Sequence, residues 1–150
     1  MKVIKKILLV LILALIVMQF IRPDKNNANT RGLTAFIEDT KPTKAVTTIL
    51  EKYCYDCHSD KTTYPWYAEV TPVSLWINHH VEEGKEHFDV SNWSDYNLKK
   101  KDHKLDELIE EVEEGKMPLD SYSWLHGSIS EEEKEILINW AKQVRAGYNL

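Results

Sequence analysis

Two cysteines and a histidine near the middle of the chain have the types and spacing that most clearly predict chemistry. They stand in the string Cys54-Tyr55-Asp56-Cys57-His58, in which two residues separate the thiols and the imidazole follows at once. Each thiol can add to one vinyl group of a haem, and the adjacent imidazole can then reach the iron. We expect one haem c per chain, attached covalently, with His58 as the proximal iron ligand.

The same cysteines have other possible uses. They are the only cysteines in the chain and could form a disulfide, but the loop closed would be so short that little stabilisation would follow. A thioredoxin-like redox pair requires a βαβ context, which the sequence pattern does not indicate. Zinc could be held by Cys54, Cys57 and the pair His79-His80, which would make the chain a structural or interaction module.

The second iron ligand is predicted to be Met117. The other methionines, Met1 and Met18, belong to the amino-terminal segment. Met117 lies between two predicted helices, and Pro118 favours an extended conformation of the residue before it. A thioether ligand raises the redox potential. The alternative use of this side chain is to fill a hydrophobic gap.

Histidine is the alternative distal ligand, with His80 preferred to His79. Adjacent residues on a helix point about 100° apart, so only one of the pair can face the haem. If Met117 is not bound, the iron has an open position, and the protein would sense a small gas or act as a weak peroxidase. The remaining histidines are interpreted as surface or capping residues: His87, His103 and His126.

The elements that must position these residues are predicted to be helices. The chain has only five glycines and five prolines, which are too few turn-forming residues for a fold of many short strands. Apolar residues at helical spacing predict helices from 43 to the cysteines, over 73–85, around 105–112, and from a capping box at Ser130 onwards. Long loops between them would fold over a cofactor. The fold class is therefore predicted to be all-α, a small cytochrome c-like domain around one haem.

Aromatic residues are numerous for so small a domain, with five tryptophans and seven tyrosines. They would pack on the faces or edge of the haem, or else form an ordinary core. The residues considered for this role are Tyr64, Trp66, Tyr67, Trp76 and Trp140.

The amino terminus has the pattern of a secretory signal or signal-anchor. Lys2, Lys5 and Lys6 precede an uncharged run over 7–21. That run is shorter than the roughly 20 residues that cross a bilayer comfortably. No cleavage site of small residues follows it, which favours an uncleaved anchor. The lysines would stay in the cytoplasm and place the rest of the chain on the periplasmic or extracytoplasmic side.

The domain organisation predicted from these patterns has three parts. Residues 1–22 are the signal-anchor or signal segment, 23–41 a polar linker rich in asparagine, and 42–150 the haem-binding domain. A content of 43% hydrophobic and 29% charged residues is typical of a chain with a folded core.

Charge excludes one class of partner. The net charge is −5, and the first 22 residues carry four basic residues and no acidic one, so the remainder is more acidic still. Such a domain would be repelled by nucleic acid but could dock a basic redox partner protein. No arrangement of nucleophile, base and orienting group stands out, which favours an electron carrier or haem-binding protein over a catalyst.

Several motifs occur in the order found in one family. They are Cys54–Ser59, Tyr64–Tyr67, Pro72–Ser74, His80–Gly84, Trp93, Leu98–Lys101, Glu113–Pro118 and Asn139–Ala141. In these the chain resembles the small haem-binding-domain proteins that have one attachment site behind an amino-terminal hydrophobic segment. The resemblance covers about residues 45–145. Trp140 and its helix are also similar to the carboxy-terminal helix of class I cytochromes c.

The resemblance implies a helical, exported domain with covalently attached haem. It implies Cys54, Cys57 and His58 as the haem site and supports Met117 as the distal ligand. The motif around His80 matches as well, so the histidine alternative stays open. The leading functional hypothesis is single-electron transfer outside the cytoplasmic membrane.

Overall fold

The structure is a computed structural model that describes residues 2–26 and 32–148. Every regular element in these ranges is helical, which confirms the all-α prediction. The α-helices are α1 (Lys2–Met18), α2 (Thr34–Thr40), α3 (Lys44–Tyr53), α4 (Tyr55–His58), α5 (Val73–His87), α6 (Leu98–Glu113), α7 (Asp120–His126) and α8 (Glu131–Gly147). Two 3-10 helices complete the set, Trp66–Glu69 and Val90–Asp95.

Local sequence signals account for the predicted helices, α3, α5, α6 and α8. The Thr43 side chain caps α3 by accepting from Val46 N, and Ser130 caps α8 in a capping box with Glu133. Helix α6 begins earlier than predicted, because Asn97 supplies its cap. Helices α2, α4 and α7 are too short for their apolar spacing to be recognised from the sequence.

The hydrophobic core lies between α2, α3, α6 and α8. Helices α6 and α8 pack along each other, and α8 also packs against α3. Large side chains that are almost fully buried fill the space between them. Those of the four helices are Phe36, Val46, Leu50, Leu105 and Leu137.

The structure differs from the predicted linker over 23–41, because Thr34–Thr40 forms α2 and joins the core. Phe36 contacts the Trp93 ring edge-on, with ring centroids 5.0 Å apart. The Trp140 indole N–H donates to the Thr40 carbonyl at 3.1 Å. Asparagine and threonine made this segment look like a linker, whereas its single phenylalanine determines where it packs.

The rest of the predicted linker is also tied to the domain where the structure describes it. The Asn26 side chain donates to the Ser59 carbonyl at 2.6 Å and to the Thr62 hydroxyl at 2.9 Å. Asn27 and Asn29, which helped to define the predicted linker, lie outside the described residues.

Helix α1 contains most of the predicted signal-anchor. It has 17 residues, none of which is buried. Over the described parts of the chain, no helix combines the length and apolar character needed to cross a membrane.

Candidate haem-binding site

The two cysteines lie at a sharp junction between helices. Helix α3 ends at Tyr53, Cys54 is its C-cap, and α4 follows as a single turn. The backbone N–H groups of Cys57 and His58 donate to the Cys54 carbonyl at 3.2 and 2.9 Å. Cys54 packs partly buried against the hydrophobic core, whereas Cys57 lines a cavity. Neither cysteine is in a disulfide.

Both thiols are protonated at neutral pH. Burial raises the pKa of Cys54 to about 12 and that of Cys57 to about 11. Redox-active and metal-ligating cysteines react as thiolates and have lowered pKa values. The surroundings of this pair therefore do not favour a thioredoxin-like couple.

The His58 imidazole is held in a defined tautomer. Its Nδ1 lies 2.7 Å from the Gly84 carbonyl oxygen and 2.9 Å from that of Phe88. Because both partners only accept, Nδ1 must carry the hydrogen, which leaves the Nε2 lone pair available to a metal. Burial lowers the pKa of His58, although the two carbonyls act in the opposite direction, so the ring is neutral.

Helix α5 packs closely behind residues 54–58, the turn predicted to attach the haem and here named the attachment turn. A Cβ atom at Gly84 would lie 2.7 Å from the Cys57 carbonyl oxygen and 3.0 Å from the Cys57 Cβ. Only glycine allows this approach without a shift of the backbone. The approach brings the last turn of α5 to His58 and so determines the orientation of the imidazole.

A mainly apolar cavity opens beside Cys57. It encloses about 560 Å³, part of which is open to solvent. Four parts of the chain line it: the attachment turn, the segment 62–67, α5 and the segment 119–126. The lining side chains include Asp56, Trp76, His80, Leu119, Tyr122 and His126.

Asp56, the residue before Cys57, connects three of these walls. Its carboxylate accepts from the Thr63 N–H at 2.8 Å and from the Tyr122 hydroxyl at 2.9 Å. Its carbonyl accepts from the Thr62 hydroxyl at 2.6 Å. The Tyr122 hydroxyl also lies 3.0 Å from the Lys52 carbonyl. A residue between the two cysteines thus holds α7 against the attachment turn.

His126, interpreted from the sequence as a surface or capping residue, lines the cavity. Its ring stacks on Tyr122, with centroids 4.0 Å apart and planes 7° apart. Its Nε2 lies 3.5 Å from the Tyr67 hydroxyl. Tyr122 and His126 are four residues apart, a spacing that makes two residues neighbours on a helix. The sequence could therefore have indicated this pairing only if α7 had been predicted as a helix.

Met117 does not line the cavity. Its side chain is half-buried against the hydrophobic core, and its N–H donates to the Glu111 carbonyl at 3.0 Å. Leu119, two residues on, does line the cavity. Met117, the predicted distal ligand, therefore lies just before the segment 119–126 that lines the cavity.

His80 lines the cavity, whereas His79 does not. The His80 ring meets Trp76 edge-on at 4.6 Å between centroids. His79 is exposed and lies 3.4 Å from the Glu83 carboxylate. Among the described residues, no three or more His, Cys, Asp or Glu side chains come together as a metal site, so the cysteines and the histidine pair form no zinc cluster here.

The aromatic residues considered for the haem divide between four environments. Tyr67 and Trp76 line the cavity. Trp140 is buried in the core, and Trp66 is exposed. The Tyr64 hydroxyl accepts from the Asn26 N–H at 2.8 Å. Sequence position alone did not separate these roles.

These residues fit a haem. Two protonated thiols stand three residues apart at one turn, a neutral imidazole keeps Nε2 available, and Gly84 removes the side chain that would separate α5 from the turn. The adjoining cavity is mainly apolar, as the faces of a porphyrin require.

The fold is an all-helical domain in which residues 54–58 place two cysteines beside a histidine. The sequence matches the haem-binding domain family over residues 13–143, and the chain belongs to that family. No curated protein matches the chain, and no solved structure does.

Proposed function

We propose that this protein is a monohaem c-type cytochrome that transfers single electrons outside the cytoplasmic membrane. The main support for this proposal is that His58 Nδ1 donates to both the Gly84 and the Phe88 carbonyl. His58 directly follows Cys57 in the chain. Such a bond directs Nε2 towards a metal and raises the basicity of the ligand. Membership of the haem-binding domain family supports the cofactor.

Attachment needs no oxidant and no leaving group. The S–H group of each cysteine adds across one vinyl group, so that sulfur bonds to one vinyl carbon and the hydrogen goes to the other. Cys54 and Cys57 hold the cofactor, and His58 is the proximal ligand. The bound haem supplies one-electron chemistry, and the apolar walls limit the access of water to it. The role is electron transport rather than catalysis.

Met117 is the proposed distal ligand, on the grounds of its position in the sequence. It stands two residues before Leu119, which lines the cavity together with residues of α7. Thioether ligation would favour ferrous iron and raise the potential. Met117→Leu keeps the apolar volume and removes the sulfur. We expect this variant to lose the His–Met spectrum and to show a lower potential, whereas His80→Gln should change neither.

The attachment itself is tested by mass. The full chain is expressed with a haem-attachment system and then denatured. We expect a mass increase of one haem that survives denaturation in the wild type, attachment through a single thioether or none in Cys54→Ser and Cys57→Ser, and none in the double variant. A wild-type chain that releases all its haem on denaturation would contradict covalent attachment.

A second candidate function, gas binding or weak peroxidase activity at an open iron position, is favoured by one observation. His80 and His126 line the cavity, whereas Met117 does not. Carbon monoxide distinguishes the two functions. Rapid binding to the reduced wild type would support the second and weigh against a saturated electron carrier.

The location proposed is the extracytoplasmic side of the cytoplasmic membrane, with α1 inserted as a signal-anchor. Support comes from Lys2, Lys5 and Lys6 in the first turns of α1, an otherwise apolar helix with no buried residue. Separation of cell membranes from soluble fractions tests it. Recovery of the full-length chain in the soluble fraction would contradict the anchor.

A further inference from the structure

Apolar side chains are exposed on the domain where α1 meets it. Trp66 is 79% exposed and Phe20 is 85% exposed. Ile21, Val70 and Leu75 are exposed as well. We call these five side chains the junction patch. Exposed tryptophan next to aliphatic side chains is typical of an interaction surface.

Hydrogen bonds fix the end of α1 to the segment that carries this patch. The Gln19 side chain donates to the Thr71 carbonyl at 2.8 Å and accepts from the Thr71 N–H at 3.1 Å. The Thr71 hydroxyl donates to the Ile21 carbonyl at 3.0 Å. Thr71 is fully buried. The orientation of the domain relative to α1 is therefore set by paired hydrogen bonds rather than by a loose connection.

The charges beside the patch are balanced. The Arg22 guanidinium donates to the Glu69 carbonyl at 2.6 Å and lies 3.4 Å from its carboxylate. The Lys25 ammonium forms an ion pair with the same carboxylate. Asp24, between these two cations in the chain, is exposed. Two cations and two carboxylates leave no excess charge at this rim, so the apolar side chains must supply the contact.

We propose that the junction patch lies against the interfacial layer of a lipid bilayer, which holds the domain in one orientation on the membrane. This rests on the membrane insertion of α1 proposed above. Phe20 and Ile21 of the patch follow shortly after the apolar helix α1 in the chain and are exposed. Tryptophan prefers the headgroup level, where its indole is half apolar and half polar. Leu75 of the patch and Trp76 of the cavity wall are neighbours in α5.

Trp124 supplies an internal control, because it is 83% exposed, nearly the same as Trp66, and lies on α7. The full haem-loaded chain is reconstituted in vesicles of phosphatidylcholine and phosphatidylglycerol. Brief hydroxyl-radical oxidation and peptide mass spectrometry then measure both tryptophans. We expect severalfold less oxidation of Trp66 than of Trp124, independent of the protein-to-lipid ratio. Equal oxidation of Trp66 and Trp124 in vesicle-bound protein would overturn the proposal. Protection of Trp66 that grows with the protein-to-lipid ratio would also overturn it, because the protection would then come from a second copy of the chain.

Gln19→Leu tests the orientation separately. It removes both hydrogen bonds to Thr71 and leaves α1 itself unchanged, so the chain should still sediment with vesicles while Trp66 loses its protection. Gln143→Leu, an exposed change on α8, should leave both measurements as in the wild type. Unchanged protection in Gln19→Leu would overturn the role of the hydrogen bonds. A wild-type chain that does not sediment with vesicles would instead refute the insertion of α1.

Discussion

Gly84 and Cys57 touch at a point where a methyl group has no room. Alanine in place of glycine normally stabilises a helix by roughly 0.5–1 kcal/mol. Here the added Cβ would lie 2.7 Å from a carbonyl oxygen. The sign of the usual effect should therefore reverse, and the His58 hydrogen bonds should be disturbed with it.

Gly84→Ala is expected to lower the free energy of unfolding by about 1–3 kcal/mol, the range found for overpacked sites. Chemical denaturation of the haem-free chain measures the change. Gly147→Ala is the matched control, because nothing lies within 4 Å of its added Cβ, and it should be neutral or slightly stabilising. Similar stability of the two variants would contradict the close approach of α5.

Tyr55 presents the opposite case, a buried group without a partner. Its hydroxyl is buried and makes no hydrogen bond among the described residues, and burial raises its pKa. An unsatisfied buried hydroxyl costs about 1–3 kcal/mol. Tyr55→Phe should therefore raise the melting temperature of the haem-free chain. Tyr53→Phe is the control, because its hydroxyl donates to the Ser128 carbonyl at 3.1 Å, and it should lower the melting temperature.

At the scale of elements, α7 depends on the attachment turn. Tyr122→Phe removes the hydroxyl that reaches Asp56 and the Lys52 carbonyl. We expect a loss of about 1 kcal/mol and faster amide exchange throughout α7. Tyr67→Phe loses only the long 3.5 Å contact with His126 and should leave exchange in α7 nearly unchanged. Unaltered exchange in Tyr122→Phe would show that α7 is held by other contacts.

Helices α6 and α8 are joined by an ion pair whose effect depends on pH. Arg145 donates to Asp102 at 2.8 Å, and this hydrogen bond lowers the pKa of that carboxyl. Since the pKa is lower in the folded chain, the pair stabilises above the unfolded value of about 3.9, and the stability is lost as pH falls through the folded value.

Asp102→Asn should therefore cost about 0.5–1 kcal/mol at neutral pH and nothing in strong acid. Urea denaturation across this pH range measures the difference from wild type. Glu132→Gln, an exposed change on the same helix pair, should follow the wild-type profile. A pH-independent difference for Asp102→Asn would rule out the charge as its cause.

At the scale of the whole molecule, the domain includes residues that the sequence assigned to a linker. Phe36→Ala should cost about 3–5 kcal/mol, because the ring is fully buried between Trp93 and Trp140. Ile37→Ala, on the exposed side of α2, should cost far less. Equal and small effects in thermal denaturation would show that the domain begins after α2, as the sequence suggested.

The sequence by itself determined the features that depend on neighbouring residues. Cysteine spacing followed by histidine predicted a haem site at residues 54–58, since that order places two thiols beside an imidazole. Apolar spacing and the Ser130 cap predicted the longer helices, because a helix of several turns repeats its pattern. The absence of many turn residues was enough to indicate an all-α fold.

Only the tertiary structure decided which distant side chains meet. The carbonyls that hold His58 lie at the end of α5, far along the chain, and no local pattern marks a carbonyl as an acceptor. His126 reached the cavity because α7 folds back onto Asp56, whereas Met117 turned to the core. These contacts depend on packing between segments that are remote in sequence. A helix as short as α7 also has too few residues for its periodicity to be recognised from the sequence.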